Sequence, residues 1–230
     1  MPEMKAIKRI TMTLAFTAIF IISARGQGFQ NLNFESAQNL PGNPGNGEAV
    51  PISNALLGWT AYDGSLVLSE VFFVSNSILG SATSVELEGG SLALSGNFSV
   101  GLFGDSSISQ TGMIPDTAES LQFEAEGPGA GGSLGGSGFG VSLGGQYVPL
   151  SVLSTGPDYI VYGGNIPADM DGQTEALAFG CDGSGGIVLD NIEFSTSPIP
   201  EPGEFALIGL GAILFAILRL RKSIPQCSAA

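Results

Sequence analysis

The chain has 230 residues, with 21 acidic and 7 basic side chains, no histidine and a formal net charge of −14. All seven bases, Lys5, Lys8, Arg9, Arg25, Arg219, Arg221 and Lys222, lie in the two terminal segments, as do only three of the acids, Glu3, Glu201 and Glu204; residues 27–200 therefore carry eighteen carboxylates and no cation. Such a body repels phosphate backbones, which excludes nucleic-acid binding, and it lacks the imidazole or lysine on which Ser-His-Asp, Cys-His and zinc catalysis depend.

Lys5, Lys8 and Arg9 precede an apolar run from Ile10 to Ile22, and Ala24 and Gly26 then occupy the minus-three and minus-one positions of a cut before Gln27. A basic region, a short apolar region and small residues in that order predict a secretory signal peptide over residues 1–26. The competing reading is an uncleaved anchor, for which thirteen apolar residues are short. In either case the basic clusters stay cytoplasmic and the stretch between them is exported.

About 170 residues remain between the terminal segments, enough for one domain with a sizeable core. No helical period persists there. Short runs rich in Val, Leu, Ile, Phe, Tyr, Ser and Thr are separated by Gly, Asn, Asp and Pro. They predict strands at Gly28–Glu35, Leu56–Tyr62, Leu66–Val74, Ser84–Glu88, Ser91–Leu94, Phe98–Phe103, Ser107–Met113, Glu119–Ala125, Gly138–Leu143, Tyr147–Leu153, Asp158–Tyr162, Thr174–Phe179 and Gly186–Phe194. The run Ser120–Glu126 alternates cleanly, with Leu121, Phe123 and Ala125 on one face and Gln122, Glu124 and Glu126 on the other. The expectation is an all-β chain forming a single β-sandwich over residues 27–196, jelly-roll-like.

Four segments carry a resemblance. Gln30-Asn-Leu-Asn-Phe-Glu-Ser36, followed by Leu57-Gly-Trp-Thr60, resembles the entry of galactose-binding-like jelly rolls, including some carbohydrate-binding modules. Val188-Leu-Asp-Asn-Ile-Glu-Phe194 resembles their last strand, and Ile108-Ser-Gln-Thr111 a middle one. The resemblance implies neighbouring first and last strands that hold a structural Ca²⁺, with Glu35 and Asp190 placed to supply carboxylates. Read without it, Glu35 is a solvated strand-end acid and Asp190 a turn or bulge acid.

Other motifs weigh less. Gly127, Gly129 and Gly132 spell G-x-G-x-x-G, but no buried parallel strand precedes them, no helix follows and no phosphate-binding lysine is present, so a surface loop is expected. Asp169-Met-Asp171-Gly172 suggests a calcium loop, yet placing Gly172 at loop position six puts Pro167 and Ala178 at positions one and twelve, which excludes an EF-hand. A looser ion site from Asp169, Asp171 and Asp182 competes with a plain acidic turn. Cys181, the only cysteine before the tail, reads as a small buried hydrophobe. The pairs Glu86/Glu88 and Glu124/Glu126 share strand faces and read as solvated sides, leaving a two-carboxylate glycosidase as the only catalytic class open. Tyr62, Tyr147, Tyr159 and Tyr162 are candidate stacking surfaces for sugar rings, whereas Trp59, beside Leu56 and Leu57, reads as core.

The tail joins Pro200-Glu201-Pro202, an uncharged apolar run from Phe205 to Leu218 and the basic cluster Arg219, Arg221 and Lys222. Fourteen helical residues rise roughly 21 Å, short of a ~30 Å hydrocarbon core. A span over about 205–220 is reached through Leu220 and a snorkelling Arg219. The order of these parts over residues 197–230 resembles the PEP-CTERM sorting signal of exported bacterial proteins. That resemblance implies processing by an exosortase-type membrane protease or transpeptidase, inner-membrane anchoring beforehand, and release to the cell surface or extracellular matrix. The sequence thus suggests a non-catalytic structural or adhesive protein of the envelope or exopolysaccharide, with a carbohydrate-binding module as the alternative. Structural calcium is the only cofactor suggested.

Overall fold

The structure, a computed structural model, describes residues 28–42, 47–76, 79, 84–126, 138–182, 186–200 and 215. The expected signal peptide, most of the glycine-rich loop, Glu201, Pro202, the apolar span except Phe215, and Arg219, Arg221 and Lys222 lie outside the described residues. No helix among the described residues is long and apolar enough to cross a membrane.

The described body is a two-sheet, all-β sandwich. The strands are β1 (Glu48–Pro51), β2 (Thr60–Asp63), β3 (Leu66–Val67), β4 (Glu70–Val74), β5 (Val85–Gly89), β6 (Phe98–Phe103), β7 (Ser106–Met113), β8 (Ser120–Glu126), β9 (Gly140–Leu143), β10 (Gln146–Tyr147), β11 (Ser151–Thr155), β12 (Ile160–Asn165), β13 (Thr174–Gly180) and β14 (Gly186–Ser195). One turn of helix, α1 (Ile52–Ala55), follows β1. The larger sheet runs β1-β4-β5-β6-β14-β8-β12-β11 and the smaller β10-β9-β13-β7-β2-β3. Every pairing is antiparallel except β4 with β5.

Alternation decides which side chains meet between the sheets. Leu121, Phe123 and Ala125 are buried while Gln122, Glu124 and Glu126 are only half-buried, as the sequence pattern predicts. Val85 and Leu87 on β5, Val100 and Leu102 on β6, and Ile187 and Leu189 on β14 line the inner face of the larger sheet, and Ile108, Leu143, Leu177 and Phe179 that of the smaller. Aromatic rings bridge the layers. Phe123 meets Phe179 edge-on at 5.3 Å, and Phe34, Trp59 and Phe179 continue the chain of rings at 5.7 and 6.2 Å.

Several expected strands are corrected. Gly28–Glu35 is not a strand: it forms one parallel bridge, Gly28 to Met113, and then turns, with Asn31 and Phe34 at positive φ. Its backbone is satisfied instead by the Gln110 side chain, whose Oε1 accepts from Gln30 N at 2.5 Å and whose Nε2 donates to Gln30 O at 2.9 Å. Ser91–Leu94 holds part of a 3₁₀ turn, Gly90–Leu92. The run Leu66–Val74 splits into β3 and β4, and Tyr147–Leu153 into β10 and β11 around Pro149. There the missing amide hydrogen of proline leaves no ladder bond to make.

Candidate functional site

The informative surface is the outer face of the larger sheet. Its register sets two rows of side chains side by side. One row runs Glu86 on β5, Gly101 on β6, Val188 on β14 and Glu126 on β8. In the next, Glu88 lies opposite Ser99, Ser99 Oγ donates to Asp190 Oδ2 at 2.8 Å, and Asp190 lies opposite Glu124.

Over β5 and β6 this face is covered. Glu86 and Glu88 are fully buried and Asp190 is 1% exposed, which corrects the reading of Glu86 and Glu88 as a solvated pair. The cover comes from elsewhere in the chain. Leu79 N donates to Glu86 Oε2 at 3.2 Å, and Ser95 N, in the β5–β6 connection, donates to Asp190 Oδ2 at 3.2 Å. Burial pushes the Asp190 carboxyl up to about 6, against the pull of Ser99, Asn191 and Ser95 and with a further push from Glu124.

Around the end of β14 beyond Asp190 and the adjoining part of β8 the face is open. A bulge in β14 between Asp190 and Glu193 breaks the ladder, and Asn191 turns to φ 45°. Ile192 N is taken by Leu32 O at 2.9 Å, so the entry segment packs beside the last long strand. Beside the bulge lies a cleft of about 470 Å³ lined by Leu32, Asn33, Gln122, Glu124, Val161, Asn191 and Glu193, together with Phe123 and Ile192. Asn191 Nδ2 donates to Glu124 Oε2 at 3.1 Å, fixing both groups at its wall. Amides and carboxylates with no cation suit an uncharged ligand rich in hydroxyls.

The two carboxylates of the calcium reading reach the same connection. Glu35 Oε1 accepts from Asn97 N at 2.6 Å and from Phe98 N at 3.0 Å, and Oε2 accepts from Asn97 Nδ2 at 2.7 Å. Asp190 Oδ1 accepts from Asn191 N at 2.7 Å, and its Oδ2 is already engaged by Ser95 and Ser99. All four oxygens therefore face N–H or O–H donors. No three Asp, Glu, Cys or His side chains converge as metal ligands among the described residues. This donor set fits a hydrogen-bonded clamp on residues 95–99, with loop donors supplying the neutralisation a cation would give, and it does not fit a calcium cage.

Desolvation pulls the Glu35 carboxyl up, but its three hydrogen bonds outweigh that and hold its pKa below the ordinary value. The stability it contributes is thus present above the ordinary carboxylate range and lost as pH falls through the lowered value. Glu35→Ala is expected to cost about 2 kcal/mol at pH 7 by denaturant unfolding, with the difference shrinking in acid. Chelator is expected to leave the wild-type midpoint unchanged; a fall on chelation that Glu35→Ala abolishes would restore the calcium reading.

The tyrosines are not brought together. Tyr162 is buried and stacks on Phe123 at 6.0 Å, which corrects its reading as a surface platform. Tyr147 is 66% exposed on the edge strand β10, Tyr62 lies half-buried on β2, and Tyr159 is half-buried with its ring against Gly156. Asp169, in a short 3₁₀ turn, and Asp171 and Asp182 are exposed. Cys181 is buried, and burial, then Asp182, pushes its thiol up to about 11, leaving it inert as a nucleophile.

Sequence reasoning missed the cleft. Its residues were legible only as the polar side of an alternating strand, and the Asp190-Asn191 pair was the one hint of a bulge. Comparison with protein-family models found none that matches the chain, and comparison with curated proteins gave no match.

Proposed function

We propose that this chain is an exported surface or matrix protein, delivered by its signal peptide and sorted through a PEP-CTERM-type tail by an exosortase-type enzyme. Its acidic, jelly-roll-like sandwich then serves a structural or adhesive role in the envelope or exopolysaccharide, without catalysis. The observation that supports the reading is how the body holds the segment leading to the Pro-Glu-Pro tripeptide. Asn165 Nδ2 donates to Ile199 O at 2.9 Å, and Ile199 N donates to Asn165 Oδ1 at 2.6 Å. Ser120 Oγ also donates to Ser197 O at 2.8 Å. The body thus holds its own exit segment up to buried Ile199, and Pro200, exposed, begins the Pro-Glu-Pro motif. A folded body that ties down the residues just before a sorting motif is the arrangement expected of a cargo and its address. Mass spectrometry of the termini after expression in an exosortase-bearing host is expected to give Gln27 at the start and loss of the basic tail; recovery of Met1 and Ala230 together from the cytosol would sink the proposal.

The open cleft favours a second reading, a polysaccharide binder of the carbohydrate-binding-module type. Pull-down on neutral exopolysaccharide is expected to fall at least tenfold in Gln122→Ala and Glu193→Ala and to be unchanged in Tyr147→Ala, with no turnover of the polymer. Loss only in the tyrosine variant would place adhesion on the edge strand instead.

A further inference from the structure

Glu88 is fully buried, and among the described residues neither of its carboxyl oxygens has a hydrogen-bond partner. It sits on the covered half of the outer face and leans across β6 above Gly101: a Cβ there would lie 2.5 Å from Glu88 Oε1 and 2.6 Å from the Phe103 ring. Only glycine leaves that space. The hydroxyl of the residue opposite is already committed, because Ser99 Oγ donates to Asp190 and accepts from Leu94 N at 2.8 Å.

The groups around it give no counter-charge. Its own strand contributes Glu86, whose Oε2 accepts from Leu79 N. β4 contributes Val74 opposite it, β6 contributes Ser99, and β14 contributes Asp190 at the far side of Ser99. β8 contributes Glu126, which acts on it through space, and Glu124 beyond Asp190. No lysine, arginine or histidine occurs anywhere in residues 27–200. An ionised carboxylate closed in with other carboxylates and no donor is the least favourable of buried groups, and the remedy is to take up a proton.

We propose that Glu88 is a proton-binding switch: it is packed as the neutral acid over Gly101, and its ionisation loosens the β4–β5–β6 part of the sheet and the cover laid over it. Burial, then Glu86 and Glu126, push this carboxyl up to about 8, so the switch turns within the range an exported protein meets. The raised value means that the folded chain binds a proton the unfolded chain has released. The stability this proton supplies is fully present below 4.5 and is lost progressively up to about 8. The inference stands on the body alone and does not depend on how the chain is exported.

The test is unfolding of the full chain and of Glu88→Gln from pH 5 to pH 9 with chelator present. The wild-type folding constant is expected to fall about tenfold per pH unit more steeply than that of the variant, until the two run parallel near pH 8. Parallel curves throughout would overturn the proposal. Where Glu88→Gln fails to fold, the side-chain ¹³C carboxyl shift of Glu88 in the wild type decides: a midpoint near 8 supports the switch and one near 4.5 overturns it. Millimolar calcium is expected to change nothing. If it stabilises the wild type at pH 7, releases a proton and leaves Glu88→Gln unaffected, the site holds a cation and the proton switch is wrong.

Discussion

Replacing Phe123 by alanine is expected to lower the thermal midpoint by roughly 10 °C, from a loss of about 3–5 kcal/mol in a body of this size. Phe123 is 1% exposed at the centre of β8. Its ring meets Phe179 of the opposite sheet at 5.3 Å, Tyr162 of β12 at 6.0 Å and Phe139 at 5.9 Å. Alanine therefore removes a ring that joins both layers, and the backbone of a central strand cannot collapse to fill the space. Tyr147→Ala, on an exposed edge, serves as the control and is expected to stay within about 0.5 kcal/mol. Equal midpoints for the two variants would mean that the stacked rings do not hold the sheets together.

The same strand shows why much of the fold was readable. Where one face meets the core and the other meets water, period-two alternation states the burial of each residue, and Leu121, Phe123 and Ala125 follow it. Val85-Glu-Leu-Glu88 has the same pattern, yet all four residues are buried. The difference lies in chain that the local pattern does not contain: Leu79 reaches Glu86, and the connection around Ser95 reaches Asp190 in the neighbouring row. Tyr162 fails for a related reason, because an alternating strand does not announce which of its faces is inward, and here the tyrosine side is.

The entry segment shows a second limit. Gly28–Glu35 reads as a strand in the sequence, but beyond the bridge at Gly28 its backbone partners are the Gln110 amide and the turn at Asn31, so side chains replaced the ladder. The candidate calcium acids illustrate the reverse case. Glu35 and Asp190 were singled out as candidate calcium ligands, and the structure brings both to one connection. Their partners are the backbone and side-chain donors of residues 95–99 and Asn191, which a reading of carboxylates alone does not reveal. The cleft depends on the bulge in β14, and a bulge leaves little trace beyond one residue able to take positive φ, here Asn191.

Gly164→Ala is expected to be costly for a single-methyl addition, at about 3 kcal/mol. Gly164 is buried on β12, opposite Leu121, where the chain crosses from β10 in the smaller sheet to β11 in the larger. A Cβ at this position would fall on the Pro149 carbonyl oxygen and on Val148 Cγ1, closer than any real contact. A side-chain tip can turn aside, but the carbonyl of Pro149 belongs to the crossing backbone and moves only if the crossing moves. Alanine also stiffens the unfolded chain, which offsets the loss by about 0.4–1 kcal/mol. Gly28→Ala isolates that second effect, because nothing lies within 4 Å of its Cβ. In denaturant unfolding the Gly28 variant is expected to match the wild type or exceed it slightly, while the Gly164 variant shifts to markedly lower denaturant. If Gly164→Ala unfolds with Gly28→Ala, the crossing at Pro149 does not rest on β12, and the joint between the two sheets lies somewhere else.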